Sequence, residues 1–193
     1  NHFKSKGSGV DDGTGQGNAN PDRIAQAERL STYADAFAAE RGVDAVFLAG
    51  DFNAYSQEDP MQVLYADGYA KLASDGHSYS FDGQSGSLDH VVGNPAAQAL
   101  VSDATYWEIN ANETVFNQYS RYNYVGTDLY DEGPFGASDH NPEIVGINAT
   151  ASDETEIQVL GTNDFHGRIL QNARSSESGA AVLSGAVKQL RDE

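Results

Sequence analysis

A short apolar run, residues 45–49 (AVFLA), followed at once by polar residues, is the feature that most constrains the fold. Such a run is typical of a strand that is buried on both faces of a sheet. Side chains alternate along extended backbone, so Asp51 and Asn53, which follow Gly50, should face the same way. A carboxylate beside an amide can orient a water molecule and donate a hydrogen bond to a phosphate oxygen. The alternative is a strand that simply stops in a polar turn.

The composition limits the classes of function that the chain can have. Its 29 acidic and 11 basic residues give a formal net charge of −18, which argues against a basic groove for tight, non-specific nucleic-acid binding. It does not exclude a nuclease, because divalent cations cancel negative charge where a phosphate binds. No cysteine is present, so any metal must be bound by Asp, Glu, Asn or His. No apolar run approaches the length of a membrane span.

The order of helix and strand signals predicts a mixed fold. Asn20 as N-cap and Pro21 in the first turn begin a helix that ends at Gly42. A shorter helix begins at 59–60 and stops at Gly68. The further strands are predicted at 78–81, 88–92, 105–109 and 143–148, and residues 110–136 form a long loop near the site. Residues 149–156 are small, polar and acidic and are typical of a linker.

Several histidines lie beside polar motifs at predicted strand ends: His2, His90, His140 and His166. Two of them directly follow an aspartate, as Asp89-His90 and Asp139-His140. Each alone could be a capping aspartate or a surface histidine. Together with Asp51, they would place acids and imidazoles at one edge of a sheet, which is the composition of an acid–base or metal site.

These motifs resemble those of the endonuclease/exonuclease/phosphatase superfamily, the deoxyribonuclease I-like fold, and occur in its order: Asn1-His2, Gly50-Asp51-Phe52-Asn53, Leu88-Asp89-His90 and Ser138-Asp139-His140-Asn141-Pro142. Residues 1–6, 51–55 and 82–86 look like the bacterial extracellular nuclease branch. The resemblance covers about residues 1–148. It implies an α+β fold, here part of a two-sheet β-sandwich with flanking helices.

The resemblance also implies phosphodiester hydrolysis by in-line attack of water, with a divalent metal such as Mg²⁺, Ca²⁺ or Mn²⁺ on the phosphate. His140 would be the general base, and Asp89 would accept its other ring proton and fix the tautomer. Asp139 would ligate the metal directly or through water. On a regular strand Asp89 and His90 point in opposite directions, so only Asp89 is assigned to the site.

Three further residues receive roles from the same resemblance. Asp51 would orient the nucleophile or the leaving group, and Asn53 would hydrogen-bond the scissile phosphate. His2 would contact the phosphate or assist the leaving oxygen. In the family a metal-ligating Glu and an Asn come from a first half that has no counterpart here. We therefore expect an internal piece of a longer protein that is poorly folded or inactive alone.

The C-terminal part carries a second resemblance. Residues 157–167 (IQVLGTNDFHG), followed by an apolar helix pattern, look like the opening of a calcineurin-like metallophosphoesterase of the 5′-nucleotidase branch. That resemblance implies a domain beginning in 157–193, with Asp164 and His166 as ligands of a two-metal centre of the Zn²⁺ or Mn²⁺ type. An Asp-x-His in a polar turn is the alternative.

Together the two resemblances predict a secreted bifunctional phosphoesterase, extracellular or periplasmic in a bacterium. A nuclease acting on nucleic acid would be fused to a nucleotidase acting on nucleotides. A lipid or inositol phosphodiesterase of the same fold is a second interpretation, and a non-catalytic binding module that retains the fold is a third. The sequence predicts no particular protein partner.

Overall fold

The computed structural model describes residues 1–73, 75–114 and 133–148, which all belong to the unit Asn1–Thr150. Their elements are α1 Asn20–Arg41, β1 Phe47–Asp51, α2 Asp59–Ala66, β2 Ala70–Lys71, β3 Tyr79–Phe81, β4 Gln84–Gly86, β5 Asp89–Gly93, α3 Pro95–Gln98, β6 Val101–Tyr106 and β7 Glu143–Ile147. The predicted linker 149–156, the second domain and the residues Asp164 and His166 lie outside the described residues, so those assignments stay predictions.

All strand pairs of the described residues are antiparallel, in three small sheets with the orders β1-β5-β2, β3-β4 and β6-β7. The fold is therefore mixed α and β, with small antiparallel sheets, and the two-sheet sandwich stays a prediction. The strands predicted at 78–81, 88–92 and 143–148 are present within a residue or two. The strand predicted at 105–109 lies earlier, as β6, and β2 and β4 were not predicted.

The pairing of β1 with β5 places two predicted site residues opposite each other. In this register Gly50 faces His90 and Asp51 faces Asp89 at the end of the sheet. The prediction that β1 is buried on both faces is wrong: Leu48 is buried, but Ala49 on the other face is exposed. The apolar run reflects one face packed on the core.

Helix α1 confirms one predicted boundary and corrects the other. Gly42 ends the helix with φ 65°, a conformation that glycine adopts at little cost. The N-cap is Ala19, with φ 58°, whereas Asn20 is already helical and fully buried. The Nδ2 of Asn20 donates to the carboxylates of Asp12 and Asp59, so its side chain ties down the preceding loop instead of capping the helix.

The core lies where α1 and α2 pack beside β1 and β5. Its buried members are Phe3, Ala27, Ala34, Leu48, Phe52, Ala54, Met61, Leu64, Tyr69 and Val92. The rings of Phe3 and Phe52 meet edge-on at 4.9 Å, which holds the N-terminal segment against the end of β1. Among the described residues, no helix is both long and apolar enough to span a membrane.

Candidate active site

Three residues that are distant in sequence converge at the end of the β1–β5 pair. Asp51 is the last residue of β1, Asp89 is the first residue of β5, and His140 lies just before β7. A carboxylate oxygen of each aspartate and a ring nitrogen of His140 all lie within 4.8 Å of one another. The structure therefore brings together the acids and the imidazole that the sequence placed at one sheet edge.

Asp89 and His140 form a short hydrogen bond. Nδ1 of His140 lies 2.6 Å from Oδ2 of Asp89, so Nδ1–H donates to the carboxylate and Nε2 is the ring nitrogen not engaged with Asp89. His90, the next residue of β5, points the other way: it is 1% exposed, and its Nε2 lies 2.9 Å from the carbonyl oxygen of Ala54. The choice of Asp89 over His90 agrees with this geometry.

Asn53 supports Asp51, but not through the regular strand that we expected. The backbone turns after β1, with φ 47° at Asn53, and the N–H of Asn53 donates to Oδ1 of Asp51 at 2.7 Å. Nδ2 of Asn53 donates to Oδ2 of Asp51 at 2.9 Å and to the carbonyl of Phe3 at 3.2 Å. Because these bonds use both amide protons, the predicted contact of Asn53 with the scissile phosphate stays a prediction.

His2 lies at the open side of the cluster. Its Nε2 is 3.5 Å from Oδ2 of Asp51, its side chain is 59% exposed, and its backbone runs parallel to the end of β1. Gly50 allows this approach, because a Cβ there would lie 2.0 Å from the carbonyl oxygen of Asn1. His2 is therefore the exposed imidazole beside the cluster, and its contact with a phosphate stays a prediction.

The surroundings of the cluster raise the pKa values of both Asp51 and His140. Burial, and then the charge of Asp89, raise the pKa of the Asp51 carboxyl. Burial by itself would lower the pKa of His140, but the hydrogen bond and charge of Asp89, with the charges of Asp139 and Asp51, raise it to about 9. In the metal-free protein His140 is therefore protonated at neutral pH.

Residues that the sequence did not mark hold the Asp89–His140 dyad from one side. Oγ of Ser78 accepts hydrogen bonds from the N–H groups of Leu88 and Asp89, both at 3.0 Å, and the carbonyl of Ser78 accepts from the N–H of Asn141 at 2.7 Å. The ring of Tyr79 packs on that of His140 at 4.6 Å. Ser78 thus links the backbones at both ends of the dyad, and only the predicted strand 78–81 hinted at a role there.

Two more missed residues come from β6 and β7. The hydroxyl of Tyr106 donates to the backbone carbonyl of Asp89 at 3.1 Å, and Oε2 of Glu143 accepts from the N–H of Val91 at 3.0 Å. Burial raises the pKa of both side chains. They fix β5 where it presents Asp89, and no local sequence pattern marked either one.

The donor set fits a hard divalent cation. The two carboxylates suit Mg²⁺, Mn²⁺ or Ca²⁺, which prefer oxygen ligands, whereas Nδ1 of His140 is already engaged with Asp89. Asp51 and Asp89 are thereby added as candidate ligands. Asp139 is not part of this three-residue group, although its charge acts on His140, and its role as a ligand stays a prediction.

Comparison with known proteins gives little further guidance. No protein-family model and no curated protein matches the chain. One similar solved structure is sphingomyelinase C from Streptomyces griseocarneus, at 21% sequence identity and a TM-score of 0.38, over 55% of this chain and 40% of that chain. The matched part thus spans less than half of that structure's length. A likeness of this degree does not place the chain in a family.

Proposed function

We propose that the cluster of Asp51, Asp89 and His140 is the catalytic site of a metal-dependent phosphodiesterase whose substrate is nucleic acid. The observation that carries this proposal is the 2.6 Å bond between Asp89 and His140 with the Asp51 carboxylate beside it. An imidazole whose tautomer is fixed by a carboxylate is suited to proton transfer, and the adjacent carboxylates are suited to a hard cation.

Each side chain of the cluster has a role that follows from its contacts. Asp89 holds Nδ1–H of His140, so the ring can exchange a proton only through Nε2. Asn53 holds the carboxylate of Asp51 through two hydrogen bonds and so fixes its direction. His2 adds a second imidazole on the solvent side, where it can bind a phosphate oxygen or donate a proton to a leaving group.

The protonation state of His140 sets a condition on this chemistry. With a pKa of about 9 it is an imidazolium at neutral pH, which can donate a proton but cannot accept one. A general-base role requires that the negative charge around the ring be offset. A divalent cation held by Asp51 and Asp89, or by Asp139, would supply that positive charge and would stabilise negative charge on a phosphate.

The proposal extends to the C-terminal residues on sequence alone. A 5′-nucleotidase domain that begins in 157–193, with Asp164 and His166 as ligands of two metals, would dephosphorylate the nucleotides that a nuclease releases. An extracellular or periplasmic location suits this pair of activities. The motif that supports the extension lies outside the described residues.

The test measures hydrolysis by the whole protein that contains this chain. DNA, RNA, sphingomyelin and a nucleoside monophosphate are each offered with a chelator and then with Mg²⁺, Mn²⁺ or Ca²⁺. We expect polynucleotide hydrolysis that the chelator abolishes and a divalent ion restores. Hydrolysis of sphingomyelin alone would point to the lipid phosphodiesterase, and a folded protein inactive on every substrate would point to a binding module.

Calorimetry with Mn²⁺ identifies the ligands independently of turnover. Asp51→Asn and Asp89→Asn should each weaken binding at the first site at least about tenfold, since each removes an oxygen ligand and a negative charge. Asp139→Asn is the matched variant, because it removes the same charge beside His140 but outside the three-residue group. If only Asp139→Asn weakens binding, the ligand assignment from the sequence is right and the geometric group is not the metal site.

A further inference from the structure

An open groove of about 460 Å³ lies between the N-terminal segment and one face of α1. Its lining includes His2, Arg29, Leu30 and Tyr33, so a cation and an aromatic ring share one wall. His2 is also 3.5 Å from Asp51, and the groove therefore adjoins the catalytic cluster. Its volume falls in the range of small-ligand sites.

Arg29 is unusual among the cations of this acidic chain. In the described part of the chain its guanidinium has no ion pair, hydrogen bond or aromatic contact, and the side chain is exposed. The other lysines and arginines of the described ranges are engaged: Lys4 with Ser8, Lys6 with Glu58, Arg23 with backbone carbonyls, Arg41 with Phe37 and Lys71 with Tyr106. A free guanidinium in a groove beside a phosphodiester site matches a phosphate in charge and geometry.

Tyr33 lies one helical turn beyond Arg29 on the same side of α1. Tyr33 is 59% exposed, and its ring is stacked on Phe37, with the centroids 5.9 Å apart and the planes 18° from parallel. The stack presets the orientation of an aromatic ring that also lines the groove. A preset exposed ring can receive an unpaired base by stacking, whereas the bases of a duplex are already stacked inside it.

We propose that this groove binds a nucleotide of a single-stranded polynucleotide next to the phosphodiester held at Asp51 and His140. Arg29 binds a flanking phosphate and Tyr33 stacks on the base or sugar. The inference rests on the proposed function and names its substrate class. A lipid is the less favoured occupant, because an unpaired guanidinium on the wall would have to be buried against an acyl chain.

The experiment measures binding of a short fluorescent oligothymidylate to the whole protein by anisotropy, with chelator present so that no turnover occurs. Arg29→Gln should reduce the slope of log Kd against log salt by about 0.7, the value for one phosphate contact to a single strand. Tyr33→Ala should weaken binding about tenfold, and Tyr33→Phe should retain it because the ring remains. Duplex DNA of the same length should show neither response.

Arg41→Gln is the control for the salt slope, since it removes an arginine from the same helix about 18 Å away and outside the groove. Its affinity is not compared, because Arg41 also lies over Phe37, on which Tyr33 stacks. An unchanged salt slope and affinity in both Arg29→Gln and Tyr33→Ala would overturn the proposal. Loss of binding to sphingomyelin vesicles in place of oligothymidylate would assign the groove to lipid. Metal-dependent DNA hydrolysis, assayed separately, shows whether the catalytic proposal fails instead.

Discussion

Two buried histidines beside Asp89 have pKa values that are shifted in opposite directions. His90 belongs to β5, and His140 is hydrogen-bonded to Asp89 of the same strand. His140 lies against Asp89 on the polar edge, and its pKa is raised to about 9. His90 faces the core beside Phe52, and burial lowers its pKa to about 4 despite a hydrogen bond to Ala54. Because Asp89 and His90 are consecutive, strand alternation alone separates a charged site from a neutral structural ring. The contrast shows that a position next to Asp89 in the sequence does not bring His90 into the cluster.

The largest effect is expected when His140, the histidine of the proposed catalytic cluster, is replaced. His140→Asn keeps a donor near the position of Nδ1, so the bond to Asp89 is retained, but it removes Nε2. We expect the metal-dependent hydrolysis rate of the whole protein to fall about 10²- to 10⁴-fold, the usual contribution of a proton-transfer group. The measurement is kcat on DNA with saturating Mg²⁺.

His90→Gln is the matched control, because its amide can keep a donor near the position of Nε2 toward Ala54. Its kcat should stay within a few-fold of that of the unmodified protein. If His90→Gln and His140→Asn lose activity equally, the two faces of β5 are not functionally distinct and the assignment of His140 fails.

The next effect is the pH dependence of the free energy of unfolding, measured in the presence of a chelator, which should differ between the two histidines. For His140 the folded pKa of about 9 exceeds the ordinary 6.5, so its contribution is fully present below pH 6.5 and is lost as pH rises through 9. For His90 the folded pKa of about 4 is below 6.5, so its contribution is present above pH 6.5 and is lost as pH falls through 4. Either displacement corresponds to roughly 3 kcal/mol of unfolding free energy at its full extent.

Urea unfolding at several pH values, with the unmodified protein and the same two variants, tests the direction of these two changes in stability. The stability difference between the unmodified protein and His140→Asn should shrink on the alkaline side, whereas the difference for His90→Gln should shrink on the acid side. The comparison of variants is needed because Asp51 and Glu143, whose pKa values are raised by burial, also titrate with folding. If these stability differences do not change with pH, the shifted pKa values of both histidines are contradicted.

The sequence predicted that Asp51, Asp89 and His140 lie at one edge of a sheet, because the features that mark this edge are local. An apolar run ending in Gly50-Asp51 shows where a strand leaves the core, and the Asp-His pairs show two more such points. The turn at Asn53 could also have been predicted, since an aspartate commonly accepts a hydrogen bond from the backbone two residues on. The prediction of a regular strand did not take this turn-forming tendency of Asp51 into account.

The supporting residues could not be predicted because their partners are set by register and packing. Tyr106 and Glu143 reach β5 from strands that precede and follow a long intervening stretch, and neither shows a motif in sequence. Ser78 reads as an ordinary residue of a short strand, yet it accepts two backbone hydrogen bonds beside Asp89. Nothing local indicated that β6 would pair with β7 and lie against that side of the site.

The smallest effect is expected when the hydrogen bond that supports the backbone of Asp89 is removed. Tyr106→Phe removes the hydroxyl that donates to the carbonyl of Asp89, which should cost about 1 kcal/mol of unfolding free energy. Tyr33→Phe removes the same hydroxyl from an exposed ring and should leave stability unchanged. If Tyr106 positions Asp89 and does more than stabilise the fold, the pKa of His140, followed by NMR in chelator, should also decrease in Tyr106→Phe. A loss of stability with an unmoved His140 pKa would make Tyr106 a purely structural support, and the dyad would then depend on Ser78 for its alignment.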